Sequence, residues 1–118
     1  MAFRIDIEKA TLQNNAYRKV LFTTGQSQLV LMSLPSGDDI HSEIHEHTTQ
    51  FIRVEKGNGV AHVEGHRHIL RDGVAIVIPA GKRHYIKNTG NTELKLYTIY
   101  SPAEHPDKLV QKHNPGNY

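Results

Sequence analysis

One stretch, GVAIVIPAGKRHYIKN at residues 73–88, constrains the fold of this chain more than any other. The run Val74–Ile78 is too short for a helix and is rich in β-branched residues, which predicts a buried strand. Pro79 ends that strand because it has no N–H to donate to a ladder, and Gly81 permits a tight turn. His84 therefore stands at the start of the next strand, where a rigid turn can aim its imidazole.

Short β-rich runs also recur along the rest of the 118 residues, and no segment has sustained helical periodicity. Turn pairs such as Asn58-Gly59 and Asp72-Gly73 separate the runs. This spacing predicts one all-β domain, a sandwich or barrel. The predicted strands are Phe3–Ile7, Tyr17–Thr23, Gln28–Leu34, Ile40–His45, Phe51–Glu55, Gly59–Glu64, His66–Leu70, Val74–Ile78, Tyr85–Asn88 and Glu93–Tyr100. Residues 10–16 fit either a short helix or a loop, and the prolines in residues 102–118 predict an irregular surface tail.

Composition narrows the function. The absence of cysteine excludes disulfides and thiolate metal sites and fits a reducing compartment, so we expect a cytoplasmic protein. No apolar run reaches the length of a membrane span, and the net charge of +2 comes from scattered Lys and Arg, so we expect binding to neither membranes nor nucleic acid. The anomaly is histidine: nine are present, and seven of them fall between His41 and His84.

The two histidine-bearing regions resemble a known family. Residues 73–88 match the second conserved motif of the cupins residue for residue, and GDDIHSEIHEHTTQFIRVEKG at residues 37–57 is similar in spacing to the first, G-x5-H-x-H-x3–4-E-x6-G. The resemblance covers about residues 30–107 and identifies residues 1–118 as a small single-domain cupin. It implies an all-β jelly roll, the cupin double-stranded β-helix, with a conical barrel open at one end.

Two registers compete for the first motif. If His45 and His47 form its histidine pair, only two residues precede Gln50, which is too few. If Glu43 and His45 form the pair, every spacing is satisfied, with Glu43 and Gln50 replacing the usual histidine and glutamate. Alternate residues of a strand face one side, which lets Glu43 and His45 converge.

The resemblance in this second register implies the metal ligands Glu43, His45, Gln50 and His84, with His47 as the alternative ligand. His41 shares their alternation and is expected to line the pocket. His41 and His45 are also spaced as on a zinc-binding helix, but Glu43 comes one position too late for that motif and the flanks are β-rich.

Two imidazoles, a carboxylate and an amide oxygen suit one divalent transition metal, Mn, Fe, Ni or Zn. The expected function is a mononuclear site in the barrel pocket that binds a small polar ligand, with metal-dependent dioxygenase chemistry as one reading. A sugar or sugar-phosphate isomerase and a non-enzymatic ligand-binding or sensing cupin are the alternatives, and the residues leave open whether the protein is an enzyme. Exposed sheet edges predict a homodimer. The expected apolar lining is one residue of each neighbouring pair among Tyr97 or Ile99, Phe51 or Ile52, and Ile76 or Ile78, whereas the hairpin residues His62, His66 and His68 are expected to be solvated.

Overall fold

A computed structural model describes residues 1–116 as one short helix and ten strands. The elements are α1 (Ile7–Gln13), β1 (Arg18–Thr23), β2 (Gln28–Leu34), β3 (Asp39–Glu43), β4 (Thr49–Lys56), β5 (Gly59–Val63), β6 (His66–Leu70), β7 (Ala75–Ile78), β8 (His84–Asn88), β9 (Leu94–Ser101) and β10 (Val110–Gln111). They form a six-stranded sheet, β10-β1-β2-β9-β4-β7, and a four-stranded sheet, β3-β8-β5-β6. The strand pairs are antiparallel, which confirms the predicted all-β jelly roll.

The N-terminal segment differs from the prediction. No strand forms over Phe3–Ile7, because Asp6 caps a helix that begins at Ile7: its Oδ1 accepts a hydrogen bond from the backbone N–H of Lys9 at 3.1 Å. Phe3 instead stacks on Phe22 with a centroid separation of 5.1 Å. Of the ambiguous residues 10–16, residues 10–13 therefore form the end of a helix, and residues 14–16 lie outside it.

The core lies between the two sheets, and strand alternation decides which apolar residues enter it. Ile52 faces inward as one member of its predicted pair and is almost fully buried. The prediction of a single inward residue is wrong for the other pair: Ile78 is almost fully buried, and Ile76, on the same face of its strand, also packs against the core. The prediction for β9 is wrong in phase: Tyr97 and Ile99 are only half-buried on the outer face. The inward residues of that strand are Leu96, Thr98 and Tyr100.

The predicted burial of the 74–78 run is also wrong. Strand β7 pairs with β4 at the edge of the six-stranded sheet, and the face that carries Ala75 and Val77 is exposed. Val77 is 57% exposed. The apolar, β-branched run therefore forms an edge strand that buries only one of its faces.

The C-terminal tail is more ordered than predicted. Val110–Gln111 forms β10 on the edge of β1, and the N–H of Val20 donates to the carbonyl of Leu109 at 2.8 Å. Further along, Asn114 Nδ2 donates to the carbonyl of Asp39 on β3 at 3.0 Å. The tail therefore joins an edge of one sheet to an edge of the other, while residues 117–118 lie outside the described part. No helix among residues 1–116 combines the length and apolar character that crossing a membrane requires.

Candidate metal centre

Two facing rows of polar side chains form the candidate site at one end of the barrel. In the six-stranded sheet, Gln28, Tyr100 and Gln50 are neighbours on β2, β9 and β4. In the four-stranded sheet, Glu43 on β3 lies directly opposite His84 on β8. His84 and the three residues of the first row are each at most 2% exposed. The facing side chains of these two rows, which we call the chamber, form a polar cluster at one end of an otherwise apolar core.

A β-bulge turns Glu43 into this chamber. Ile40 pairs with Ile86 and faces the core, and simple alternation from Ile40 would turn Glu43 outward. The register shifts between Ile40 and Glu43, so that two residues of β3 oppose one residue of β8. A bulge of this kind re-aims the side chains that follow it.

The turn between β7 and β8 fixes His84. Gly81 has φ +82°, which favours glycine, and its N–H donates to the carbonyl of His45 at 2.8 Å. One residue later, the carbonyl of Lys82 lies 3.0 Å from His84 Nδ1. A carbonyl can only accept, so Nδ1 donates this hydrogen bond and Nε2 is the ring nitrogen that faces the chamber. Nε2 is buried and has no hydrogen-bond partner.

His45 is oriented in the same way, by a carboxylate from the tail. It follows the end of β3, and its Nδ1 contacts Glu104 Oε1. Its Nε2 lies 3.0 Å from Glu43 Oε1, while His84 Nε2 lies 3.5 Å from the same oxygen. Both imidazoles are thus held through Nδ1 and turn Nε2 toward one carboxylate, the arrangement usual for metal-binding histidines.

Gln28 holds the segment that carries Glu104. Its side-chain nitrogen donates to the carbonyl of His105 at 2.7 Å. Its side-chain oxygen accepts from the backbone N–H groups of Glu104 at 3.2 Å and His105 at 3.0 Å. We call residues 101–106 the strap, and these three hydrogen bonds fix it beside the chamber.

The charged groups inside the chamber shift one another's pKa values. Burial pushes the pKa of Glu43 upward, but the adjacent imidazoles of His45 and His84 outweigh burial and hold that pKa well below its usual range. Burial lowers the pKa of His45, but the carboxylates of Glu43 and Glu104 outweigh it and raise the pKa overall. Protonated His45 is therefore stabilised between two carboxylates, and a metal ion at its Nε2 must displace that proton.

Gln50 contributes a second unsatisfied acceptor. Its Nε2 donates to Thr98 Oγ1 at 3.1 Å and to Tyr100 OH at 3.3 Å, which turns Oε1 away from them. Oε1 is buried and has no partner, although buried polar atoms are rarely left unpaired. An amide oxygen is an acceptable ligand for a hard or borderline cation.

Glu43, His45 and His84 each offer one ligand atom, and these atoms lie within 4.8 Å of one another. A metal ion therefore fits this donor set. His47, the alternative ligand, is exposed and lies outside the group, and His41 is half-buried at the bulge.

The other predicted histidines lie elsewhere. His66 and His68 are exposed on β6, as expected, whereas His62 is half-buried and packs against Tyr85 at a centroid distance of 6.3 Å. Sequence reasoning missed Glu104 and Gln28. The only sequence signal for Glu104 was that a carboxylate and a histidine are adjacent in the tail.

Comparison with known proteins defines the family. The cupin domain model (Cupin_2) matches residues 30–100 of this chain. The chain therefore belongs to the cupin family. Its fold, in which each of the two motifs contributes one strand to each sheet, is that of a small cupin.

Two curated relatives share most of the chain. "Uncharacterized protein L612" of Acanthamoeba polyphaga mimivirus is 46% identical over 94% of this chain and 72% of its own length. "Uncharacterized protein YrkC" of Bacillus subtilis is 46% identical over 93% of this chain, which spans 62% of that protein. The crystal structure of BH2720 from Bacillus halodurans is 42% identical, covers 95% of this chain and 89% of its own, and superposes with a TM-score of 0.93. An "Oxalate-binding protein" of Thermotoga maritima is 31% identical over 58% of this chain and 56% of its own length.

Proposed function

We propose that this cupin holds one divalent transition metal through Glu43, His45 and His84, with Gln50 as a fourth ligand, and binds a small polar ligand beside that ion. When bound, such an ion supplies Lewis acidity or a template for dioxygen. The protein residues keep both imidazoles oriented, exclude bulk water and supply one negative charge.

The observation that carries the proposal is the shared direction of the two histidines. The Nδ1 atoms of His45 and His84 are occupied by Glu104 and the carbonyl of Lys82. Their Nε2 atoms both face Glu43 Oε1, at 3.0 and 3.5 Å. Two histidines that only filled space in a core would not need Nδ1 held by a hydrogen-bond partner and Nε2 turned toward one shared carboxylate.

The test is metal content by mass spectrometry on tag-free protein. We expect about one ion of Mn, Fe, Ni or Zn per chain in the wild type, and loss of that ion in His84→Ala and Glu43→Gln. His47→Ala is the matched control, because His47 is exposed and outside the ligand group. Its metal content should equal that of the wild type.

Two results would reject this assignment. One is a wild-type protein that takes up none of the four metals after refolding in their presence. The other is loss of metal in His47→Ala with retention in His84→Ala. Thermal unfolding of each variant separates loss of ligation from loss of fold.

One comparison indicates the kind of ligand. The Thermotoga maritima relative is described as an oxalate-binding protein, and it aligns with 58% of this chain. We infer that a small oxygen-rich molecule is the ligand here as well. Thermal stabilisation by candidate ligands without turnover would support binding alone, whereas metal-dependent oxygen consumption with diketones or phenols would establish a dioxygenase.

The proposal includes a homodimer. The edge strands β7 and β6 carry Val77 at 57% and Ile69 at 51% exposure, so both sheets end in uncovered apolar residues. Sedimentation at micromolar concentration should give the mass of two chains. A purely monomeric profile at that concentration would contradict this part of the proposal.

A further inference from the structure

Five buried side-chain atoms of residues 1–116 lack a hydrogen-bond partner, and they do not form one group. Gln50 Oε1 and His84 Nε2 are acceptors that the proposed metal would satisfy. Arg53 Nε lies on the outer face of β4, beside Glu55. Arg18 Nε and His105 Nε2 remain, and the proposed metal accounts for neither.

Arg18 is a buried cation without a carboxylate. It alternates with the core residue Val20 on β1, pairs across the sheet with buried Met32, and is itself only 7% exposed. Its one hydrogen bond goes to the neutral Gln111 Oε1, and its guanidinium lies 5.2 Å from the ring centre of Tyr17. No carboxylate among residues 1–116 reaches ion-pair distance of Arg18, although a buried charge normally requires a partner.

Asp38 and Asp39, where β3 begins, have other donors. Asp38 Oδ1 accepts from Asn114 Nδ2 at 2.6 Å. Asp39 Oδ2 accepts from Tyr85 OH at 2.9 Å. Neither carboxylate neutralises Arg18 by direct contact, and its buried Nε remains an unpaired donor for an added anion.

His105 belongs to the same electrostatic environment. Its ring meets Tyr100 edge-on with a centroid separation of 5.0 Å. Burial and then the charge of Arg18 lower the pKa of His105 to about 4, so the ring is neutral near pH 7 and can donate one hydrogen bond. Burial raises the pKa of Tyr100, and the charge of Arg18 opposes that rise. Tyr100 in turn accepts a hydrogen bond from Gln50 of the proposed metal site.

We propose that Arg18, assisted by His105, is the recognition site for a carboxylate or similar small oxyanion inside the barrel. A guanidinium presents paired donors that match a carboxylate. The unpaired acceptors of Gln50 and His84 and the unpaired donor of Arg18 suit a ligand that carries negative charge toward Arg18 and oxygen atoms toward the metal. This inference rests on the proposed function, because it names the chemical class of the ligand for that site.

The experiment is calorimetric titration of metal-loaded protein with oxalate, malonate and succinate in low-chloride buffer. The uncharged diamide malonamide is the chemical control for malonate. Variants Arg18→Met and Arg18→Lys are compared with Arg53→Met, which removes an arginine that also has an unpaired Nε but lies on the outer face. Metal content and thermal unfolding are measured for every variant.

We expect at least one dicarboxylate to bind the wild type and Arg53→Met equally, and malonamide not to bind. Arg18→Met should weaken that binding by about ten- to a hundredfold with metal content unchanged. If Arg18→Met does not fold, Arg18→Lys decides, because an ammonium cannot make the paired contact and should weaken binding by about tenfold or more. Unchanged affinity in the folded Arg18 variant overturns the inference, and so does a wild type that retains metal but binds none of the three anions. A wild type without metal whose dicarboxylate binding still depends on Arg18 would reject the metal proposal and retain the anion site.

Discussion

Replacing Gln50 with glutamate tests the fourth ligand through opposite effects with and without metal. Gln50 is 1% exposed, between Tyr100 and Ile78 in the sheet. A carboxyl group buried there should have its pKa raised by about 3–4 units, to about 8. The unfolded chain ionises near pH 4.3, so keeping the group neutral in the fold at pH 7 costs about 3–4 kcal/mol.

That cost translates into a measurable shift. For a chain of this size about 1 kcal/mol moves the midpoint of thermal unfolding by about 3–5 °C, so metal-free Gln50→Glu should unfold about 10–20 °C below the wild type. A metal ion would displace the proton of the new carboxyl group and bind it as a charged carboxylate. The stabilisation that metal produces should therefore exceed that of the wild type by about 3–4 kcal/mol.

Differential scanning calorimetry in EDTA and in excess metal measures both quantities. Gln50→Met is the control: it removes the amide oxygen without adding charge, so its metal-free form should lose far less stability and its response to metal should shrink. If metal stabilises Gln50→Glu no more than the wild type, Gln50 does not contact the ion and the reasoning fails.

Three further outcomes are expected. Glu104→Gln should lower metal affinity by about ten- to a hundredfold because it weakens the contact that orients His45, whereas the exposed Glu46→Gln should not, and competition with a chromogenic chelator compares them. Because burial lowers the pKa of His105 from 6.5 to about 4, its contribution to stability is complete above about pH 6.5 and is lost as the pH falls toward 4; thermal unfolding of His105→Phe across that range should show a smaller loss than the wild type. Gly57→Ala should destabilise by about 1–3 kcal/mol or more, because φ is +111° and a Cβ would lie 2.7 Å from the carbonyl of Glu93, whereas Gly65→Ala at φ +83° has open space and should cost less in denaturant titrations.

The fold and the three-residue group could be predicted because both depend on spacing along the chain. The 73–88 pattern determines the strand, turn and strand that place His84, and counting back from Gln50 separates Glu43 from His47. The bulge in β3 could not be predicted, since it is a property of pairing with β8 and not of the local sequence. Ile40 and Glu43 can both face inward only because the pairing of β3 with β8 skips one residue between them.

The remaining misses involve contacts that no local pattern encodes. Glu104 meets His45 across 59 positions of sequence, in a tail whose prolines indicated only irregular chain. The phase of β9 was ambiguous because both of its faces carry apolar residues, and only the position of Gln50 beside Tyr100 resolves it. Phe3–Ile7 alternates like a strand, but Asp6 is also a good helix cap, and the cap prevails.

The strap lies outside the part of the chain that the family model matches. The family match ends at residue 100, yet the carboxylate that orients His45 is at position 104, and the glutamine that fixes it is at position 28, ahead of the matched region. The unit that the family model recognises is therefore smaller than the set of residues that forms the candidate site. A substitution in the flanks can change the contacts of His45 while every residue of the matched region stays the same, so two chains identical over that region can still differ in how this histidine is held.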